Sequence, residues 1–535
     1  MRSSAAVYSR NAEGCHQHSS TNRSELDMLK LKLCNGVGLT LILVFLSGCV
    51  AGPNYKRPTV QIPAVYKEAV SDAGNEAEGW KKAQPGDERV RGNWWELFND
   101  AQLSALEERV NISNENIKSA EAQFRQARAL VRGARSSYFP TATTTPSITT
   151  IHPSEGQSAR QIAQVGTYTS FVLPVDFSYE ADLWGRVRRT VEGSQAAAQA
   201  SAADLETIRL SMNAELAADY FQLRALDQEK QLLDSTATAY ERALELTTNR
   251  YKGGIASQAD VAQAETQLET TRAQAVDVGV LRAQLEHAIA TLIGETPSTF
   301  SIQPQIRSLS PPSIPVGLPS QLLERRPDIA GAERRLAAAN AQIGLARAAY
   351  FPAVNFSASA GFASTSIADW LSWPDRLWSL GPALAQTLFD GGRRRAVTEQ
   401  AKAGYDATVA AYRQVVLTAF QEVEDNLAAL RILADEAQQQ ETAVKSANRS
   451  LGVSMTRYKG GITTYLEVIN AQAAVLANER TLVDVWQRRM VASVSLIKAL
   501  GGEWNASQLP TTQDLKASTD LTVSREPLVQ PSPRQ

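Results

Sequence analysis

Ala346-Arg347-Ala348-Ala349-Tyr350-Phe351-Pro352 runs on into Val354-Asn355-Phe356-Ser357-Ala358-Ser359-Ala360-Gly361-Phe362. Up to Tyr350 the chain is rich in Ala, Gln, Glu and Arg and lacks Pro and β-branched runs, the composition of a helix. Pro352 stops that helix, because proline has no backbone N–H and its ring clashes with the preceding turn. Beyond it the hydrophobic period becomes two: Val354, Phe356, Ala358, Ala360 and Phe362 alternate with Asn355, Ser357, Ser359 and Gly361. That is a strand with one apolar and one polar face.

The same block occurs earlier. Ala134-Arg135-Ser136-Ser137-Tyr138-Phe139-Pro140 precedes it by 212 residues (Tyr138 to Tyr350), and Ile117-Lys118-Ser119-Ala120-Glu121 answers Ile329-Ala330-Gly331-Ala332-Glu333. Further on, Tyr251-Lys252-Gly253-Gly254-Ile255 recurs as Tyr458-Lys459-Gly460-Gly461-Ile462, 207 residues later. Between them, Asp182-Leu183-Trp184-Gly185-Arg186 parallels Phe389-Asp390-Gly391-Gly392-Arg393. Blocks in one order at nearly one offset make the chain a tandem repeat, a structural unit used twice.

Each half places strands before very long helices. Phe171, Leu173, Val175, Phe177 and Tyr179 form one apolar alternation, Trp378, Leu380, Pro382, Leu384 and Leu388 another, and a Thr-rich stretch from Thr141 to Ile151 precedes both. Alternation flanked by Tyr168, Trp370, Trp373 and Trp378 is the signature of transmembrane barrel strands, although it also suits a soluble sheet with one wet face. Four strands per chain cannot close a wide barrel, and lipid does not tolerate open edges. Symmetric assembly is therefore required, and three copies giving about twelve strands is the natural closed solution. From Arg186 and from Arg393, roughly 60 helical residues follow, on the order of 90 Å at 1.5 Å per residue. Each run ends at the Tyr-Lys-Gly-Gly-Ile turn, where Gly253, Gly254, Gly460 and Gly461 suit a helix C-terminus that needs left-handed backbone. A second helix then returns, giving a hairpin that projects far from a membrane.

The N-terminus carries an export signal. Lys30 and Lys32 precede an apolar run from Val37 to Leu46 that is too short to span a bilayer. It ends in Leu46-Ser47-Gly48-Cys49, which resembles the lipobox of bacterial lipoproteins; the bland alternative is a chance cysteine after a signal. Cleavage leaves Cys49 as the lipidated N-terminus. Residues 1–27 are polar and fit no signal, so Met28 is the better start. Val50 stands where an Asp would retain a lipoprotein at the inner membrane, so the expected destination is the outer membrane. Cys15 and Cys34 leave with the leader, which excludes disulfides and thiol catalysis in the mature chain. A formal net charge of −2 gives no basic face for nucleic acid.

Ile314-Pro315-Val316-Gly317-Leu318-Pro319-Ser320 with Leu322-Leu323-Glu324-Arg325-Arg326-Pro327-Asp328-Ile329 closely resembles the linker between the halves of TolC/NodT-type outer-membrane efflux factors, lipoprotein subgroup. Gly52-Pro53-Asn54-Tyr55, Trp94-Trp95-Glu96-Leu97-Phe98, both Tyr-Phe-Pro turns and Ala499-Leu500-Gly501-Gly502 match as well. The resemblance implies an α+β membrane protein: a homotrimer whose twelve-stranded outer-membrane β-barrel continues as a long α-helical periplasmic barrel with a mixed equatorial domain. Its implied partners are outer-membrane lipid, a periplasmic adaptor protein and an inner-membrane transporter of the resistance–nodulation–division (RND) type. The expected organisation is a leader over 1–48, a lipidated N-terminal and equatorial segment over 49–95, and repeats over 96–300 and 321–504. A linker over 301–320 joins the repeats, and a loose tail covers 505–535.

No chemistry competes with this reading. His152 and His287 are isolated and His16 and His18 lie in the leader, so no metal-ligand spacing exists. No phosphate loop, zinc helix or nucleophile elbow occurs. Glu324, Arg325, Arg326 and Asp328 are expected to form a structural ion-pair group. No enzyme activity and no cofactor beyond the lipid on Cys49 are expected, and a passive duct must draw its energy from a partner. By motif match, the resemblance puts the gate at the hairpin tips, Tyr251 to Gln263 and Tyr458 to Asn470. Glu467 falls where relatives carry an inward acid, Leu466 at an apolar constriction, and Tyr458 and Asp260 at a pair that links neighbouring hairpins. Asn470 stands where Asp is frequent, and Thr463 where one relative has a latching Arg. Two other readings compete: the duct of a type I protein-secretion system, and a poreless structural periplasmic lipoprotein.

Overall fold

The computed structural model describes residues 50–68, 93–152, 166–306, 311–314, 319–502 and 504–515. Cys49 with its leader, linker residues 315–318 and the chain beyond 515 lie outside the described residues. The chain forms two units. Among the described residues, one comprises those within 50–52, 137–189 and 344–394, and the other those within 53–136, 190–343 and 395–515.

The first unit is an antiparallel sheet of β1 (Thr141–Thr144), β2 (Ser147–Ile151), β3 (Tyr168–Ala181), β4 (Ala353–Ser364) and β5 (Arg376–Ala385). The order is β1-β3-β4-β5, with β2 also on β3. The Thr-rich strand is thus present but broken at Thr145-Pro146, where proline cannot donate to the ladder. The last strand stops at Ala385 and does not reach Leu388. Val175 lies opposite Ala360 and Phe177 opposite Ala358, while Ala360 lies opposite Trp378 and Ala358 opposite Leu380. With a side-chain period of two, this register gathers every apolar alternation on one face. The chain leaves that face open, with Phe177 45%, Trp378 77%, Leu380 75% and Leu384 70% exposed.

The first described residues belong to this unit. The Ala51 amide donates to the Trp184 carbonyl at 2.9 Å, and the Arg189 guanidinium donates to the carbonyls of Ala51 and Gly52 at 3.3 and 3.4 Å. Gly52 has φ +95°, and a Cβ there would sit 2.5 Å from the Gly344 Cα, so two glycines permit this crossing. Trp184 stacks on Phe351 with ring centroids 4.8 Å apart, and its indole N–H donates to the Pro352 carbonyl at 2.8 Å. The Tyr-Phe-Pro turn is therefore also a packing wedge.

The second unit is helical: α1 (Ala101–Ser113), α2 (Glu115–Ser136), α3 (Arg186–Lys252), α4 (Gln258–Leu292), the short α5 (Leu322–Arg325), α6 (Pro327–Ala348), α7 (Arg393–Lys459) and α8 (Tyr465–Ala499). The repeat is reproduced to the residue: α3 and α7 have 67 residues each, α4 and α8 have 35, and α2 and α6 have 22. A helix of that first length is about 100 Å long. No proline interrupts α3 or α7. In α7, Tyr412, Val416, Ala419, Val423, Leu427 and Leu430 are buried at steps of three and four, one stripe of the helix.

The main core joins Trp94, Trp95 and Phe98 to Tyr220 and Phe221 of α3, Ile289 of α4 and Leu496 of α8. Asp100 caps α1, accepting from the amides of Gln102 and Leu103 at 2.9 and 3.1 Å, and takes the Tyr220 hydroxyl at 2.8 Å. A buried ionic group sits nearby. Asp227 accepts from Arg224 and from Arg282, each at 2.7 Å, and from the Gln305 amide at 3.2 Å. Within the segment expected to be a loose tail, residues up to 515 pack: Leu515 is buried against Val131 and Ala198, and Gln199 donates to the Pro510 carbonyl at 3.0 Å.

Candidate functional site: the hairpin tips

Both tips end their first helix with the same Schellman turn. In the first, the amide of Gly254 donates to the Tyr251 carbonyl at 2.9 Å and that of Ile255 to the Arg250 carbonyl at 2.8 Å. In the second, Gly461 donates to Tyr458 at 3.0 Å and Ile462 to Arg457 at 2.9 Å. Such bonds satisfy the last carbonyls of a helix and need one residue with left-handed backbone. That residue is Gly254 or Gly461, each at φ +73°. Gly253 and Gly460 have no positive φ, so only the second glycine of each pair is required by conformation.

The returning helices start differently. Ser257 and Asp260 form a capping box: Ser257 Oγ accepts from the Asp260 amide at 3.1 Å, and Asp260 Oδ2 accepts from the Ser257 amide at 2.9 Å. Glu467 is the repeat equivalent of Asp260, but the N-cap Thr464 makes no side-chain cap bond. Glu467 and Asn470 are exposed, as is Leu466 at 51%. Thr463 is half-buried, and its hydroxyl finds no hydrogen-bond partner among the described residues.

Tyr458 is buried at 3% exposure. Its hydroxyl meets Thr247 Oγ1 at 3.4 Å, so within the chain it is not joined to Asp260, whose carboxylate serves the cap. The Arg250 guanidinium lies 4.8 Å from the Tyr458 ring centroid, a cation–π contact, and donates to the Lys459 carbonyl at 3.2 Å. Tyr465 packs against Tyr458 with centroids 5.2 Å apart, and burial, with Tyr458 beside it, raises its phenol to about 12. Ala243, Ala264 and Val468 complete this cluster. Tyr251, the repeat partner of Tyr458, is instead 44% exposed. Sequence reasoning missed Arg250, Thr247 and Tyr465. The signal for Arg250 was available, since an arginine precedes Tyr-Lys-Gly-Gly-Ile in both repeats.

Of the four residues expected to form a structural ion-pair group, Arg326 and Asp328 pair with each other, and Glu422 of α7 joins them in place of Glu324. The Arg326 guanidinium donates to both Asp328 oxygens at 3.0 and 2.7 Å, to Glu422 at 2.7 Å and to the Ala499 carbonyl at 2.9 Å. Among the described residues no group of acids, histidines or cysteines is placed to hold a metal.

A strand sheet with an open apolar face, in one chain with duplicated helical hairpins, defines the class of outer-membrane channel proteins. The sequence profile of the outer membrane efflux protein family matches residues 106–295 and 318–502, and the chain belongs to that family. It is 31% identical over 475 residues to the probable efflux pump outer membrane protein SepC of Pseudomonas putida, covering 88% of this chain and 97% of that one. It is 30% identical over 472 residues to the outer membrane protein OprJ of Pseudomonas aeruginosa, covering 88% and 96%. The solved outer-membrane channel OprN superposes with a TM-score of 0.77 at 29% identity, over 85% of this chain and 99% of that one.

Proposed function

We propose that the protein is the passive exit duct of a tripartite efflux system. Three copies each give four strands to a closed twelve-stranded barrel in the outer membrane, and their paired helices form a tunnel through the periplasm. A lipid on Cys49 anchors each chain. A periplasmic adaptor and an RND-type inner-membrane transporter deliver cargo and supply the energy, and the duct itself has no catalytic role and no cofactor. The observation that carries this reading is the sheet. Its apolar face is uncovered, and neither β5 nor the β1–β2 strand has a partner on its outer edge among the described residues. Lipid accepts such a sheet only when its edges close on other copies. Relatives named for toluene efflux, antibiotic efflux and cation efflux support small-molecule cargo of varied chemistry.

Purified protein should run as a heat-modifiable trimer and conduct ions across a planar bilayer. A monomer that conducts nothing would overturn the duct. Replacing Cys49 with Ser should abolish incorporation of labelled palmitate; retained label would move the anchor elsewhere. At the tip, Glu467 supplies an acidic ring of three, and Glu467→Ala should weaken divalent-cation block of the single-channel current while assembly is unchanged. Undiminished block would remove Glu467 from the gate.

A further inference from the structure

The connection between β4 and β5 is apolar where a loop in water would be polar. Ile367, Trp370, Leu371 and Trp373 fall within it, and Ile367, Leu371 and Trp373 are 69%, 63% and 72% exposed. Large apolar side chains gathered on a surface mark a place where something binds. β4 starts just after the Tyr-Phe-Pro turn that follows α6, and β5 runs back toward α7. The loop therefore stands at the end of the sheet away from both helix connections. In the duct proposed above, on which this inference rests, that end faces the outside of the cell.

The register tells which side of the sheet the loop occupies. Arg376 lies opposite Phe362 and Trp378 opposite Ala360, while Leu173 lies opposite Phe362 on its other side. Arg376 thus belongs to the apolar face, two residues from Trp378 and four from Leu380. Trp370 folds back onto that same face, its ring centroid 5.6 Å from that of Phe171.

This corner also holds a cation. The Arg376 guanidinium lies over the Trp373 ring, 4.8 Å from the centroid, and one of its five N–H groups donates to the Trp373 carbonyl at 2.8 Å. It makes no ion pair among the described residues: Asp375 instead takes the Ser372 hydroxyl at 3.2 Å, and Asp369 is exposed. A guanidinium held against an aromatic ring keeps a planar fork of donors, which matches a phosphate. A neutral lipid would cover the apolar side chains and leave Arg376 without an anion. A soluble anion would do the reverse. Only an amphipathic molecule with an anionic head satisfies both, and the outer leaflet of a bacterial outer membrane supplies one, an acylated and phosphorylated sugar.

We infer that the corner made by Trp373, Arg376 and Trp378 binds a phosphorylated glycolipid of the outer leaflet. Arg376 takes a phosphate through its remaining N–H groups. The Trp373 ring packs on the sugar, and the acyl chains run down the sheet over Trp378 and Leu380.

The test uses the full-length protein, purified from outer membranes and stripped of bound lipid in detergent. It is mixed with lipid A carrying two phosphates, with the same lipid A after enzymatic dephosphorylation, or with phosphatidylglycerol, and bound lipid is counted by native mass spectrometry. The phosphorylated form should be retained at one per copy, and the dephosphorylated form held about 10- to 100-fold more weakly, the worth of hydrogen bonds from one guanidinium to a charged group. Arg376→Gln should erase that difference. Arg393→Gln, which removes an exposed arginine at the start of α7, should keep it. A conducting trimer that holds both forms of lipid A alike, or that keeps the preference without Arg376, overturns this site alone. Phosphatidylglycerol held as tightly as lipid A overturns the glycolipid as occupant. Protein that neither forms a trimer nor conducts overturns the duct reading and this site with it.

Discussion

Leu380→Arg tests where the sheet sits. β5 has ten residues, Arg376–Ala385, with Leu380 fifth, and a strand of about 9–11 residues spans a bilayer. Leu380 therefore lies near mid-depth. Its cross-strand neighbour is the small Ala358, and it is 75% exposed, so the chain itself shields little of it. An arginine facing lipid at that depth costs about 2–4 kcal/mol, falling to about 0–1 near the interfaces. Per site this is about a 30- to 1,000-fold shift against insertion, and in the proposed three-copy barrel it would total about 6–12 kcal/mol. Ser379→Arg is the matched control: one residue away, opposite Ser359, on the other face. The heat-modifiable trimer recovered from outer membranes should vanish for Leu380→Arg and remain at full yield for Ser379→Arg. The surviving channel should shift toward anions, because its three new cations line the lumen. Normal assembly of Leu380→Arg, or loss of Ser379→Arg in its place, would refute the lipid-facing assignment and leave a water-soluble sheet.

Three further outcomes follow from the helical unit. Asp227→Ala leaves Arg224 and Arg282 without their shared anion, and Arg224 is 4% exposed at the side chain; a loss of about 3–5 kcal/mol is expected, read as a lower unfolding midpoint in denaturant. Gly461→Ala puts a Cβ at φ +73° and should cost about 1–2 kcal/mol, whereas Gly460→Ala should be nearly silent; equal effects on thermal melting would contradict the turn assignment. Glu107 is fully buried, neither carboxyl oxygen has a hydrogen-bond partner among the described residues, and burial holds its carboxyl well above the usual range. The folded state then binds a proton that the unfolded state releases, so stability is greatest below the unfolded pKa and is lost as pH rises toward the folded one. Asp219, raised by burial and by Glu215 to about 6, adds the same slope only up to that pH. The melting temperature should therefore keep falling above pH 6 in the native chain, and Glu107→Gln should flatten that fall. A slope unchanged by the substitution would show that Glu107 is not its source.

What could be read from the sequence, and what could not, differs by the range of the interaction. The helix stops at Pro140 and Pro352, the alternation of β3 and β4, and the Gly-Gly turns are local consequences of residue type, and each is where the sequence puts it. Two local signals went unused. Pro146 marks the break in the first strand, and Ser257-x-x-Asp260 is a capping box that commits Asp260 to its own helix. The Tyr458–Thr247 contact spans 211 positions and depends on the register of two hairpins, which no single segment encodes. A subtler case lies at the base of the hairpins. Asn114 Nδ2 donates to the Leu292 carbonyl at 2.8 Å in the first repeat. At the equivalent place in the second, Arg326 Nη1 donates to the Ala499 carbonyl at 2.9 Å. Comparing residue types scores Asn against Arg as a mismatch, yet both put an N–H at the same orphaned helix end. At this helix end the two repeats share a satisfied backbone carbonyl and not a residue type. The Tyr-Lys-Gly-Gly-Ile turns repeat as residues and are legible as a motif, whereas this equivalence is visible only in three dimensions.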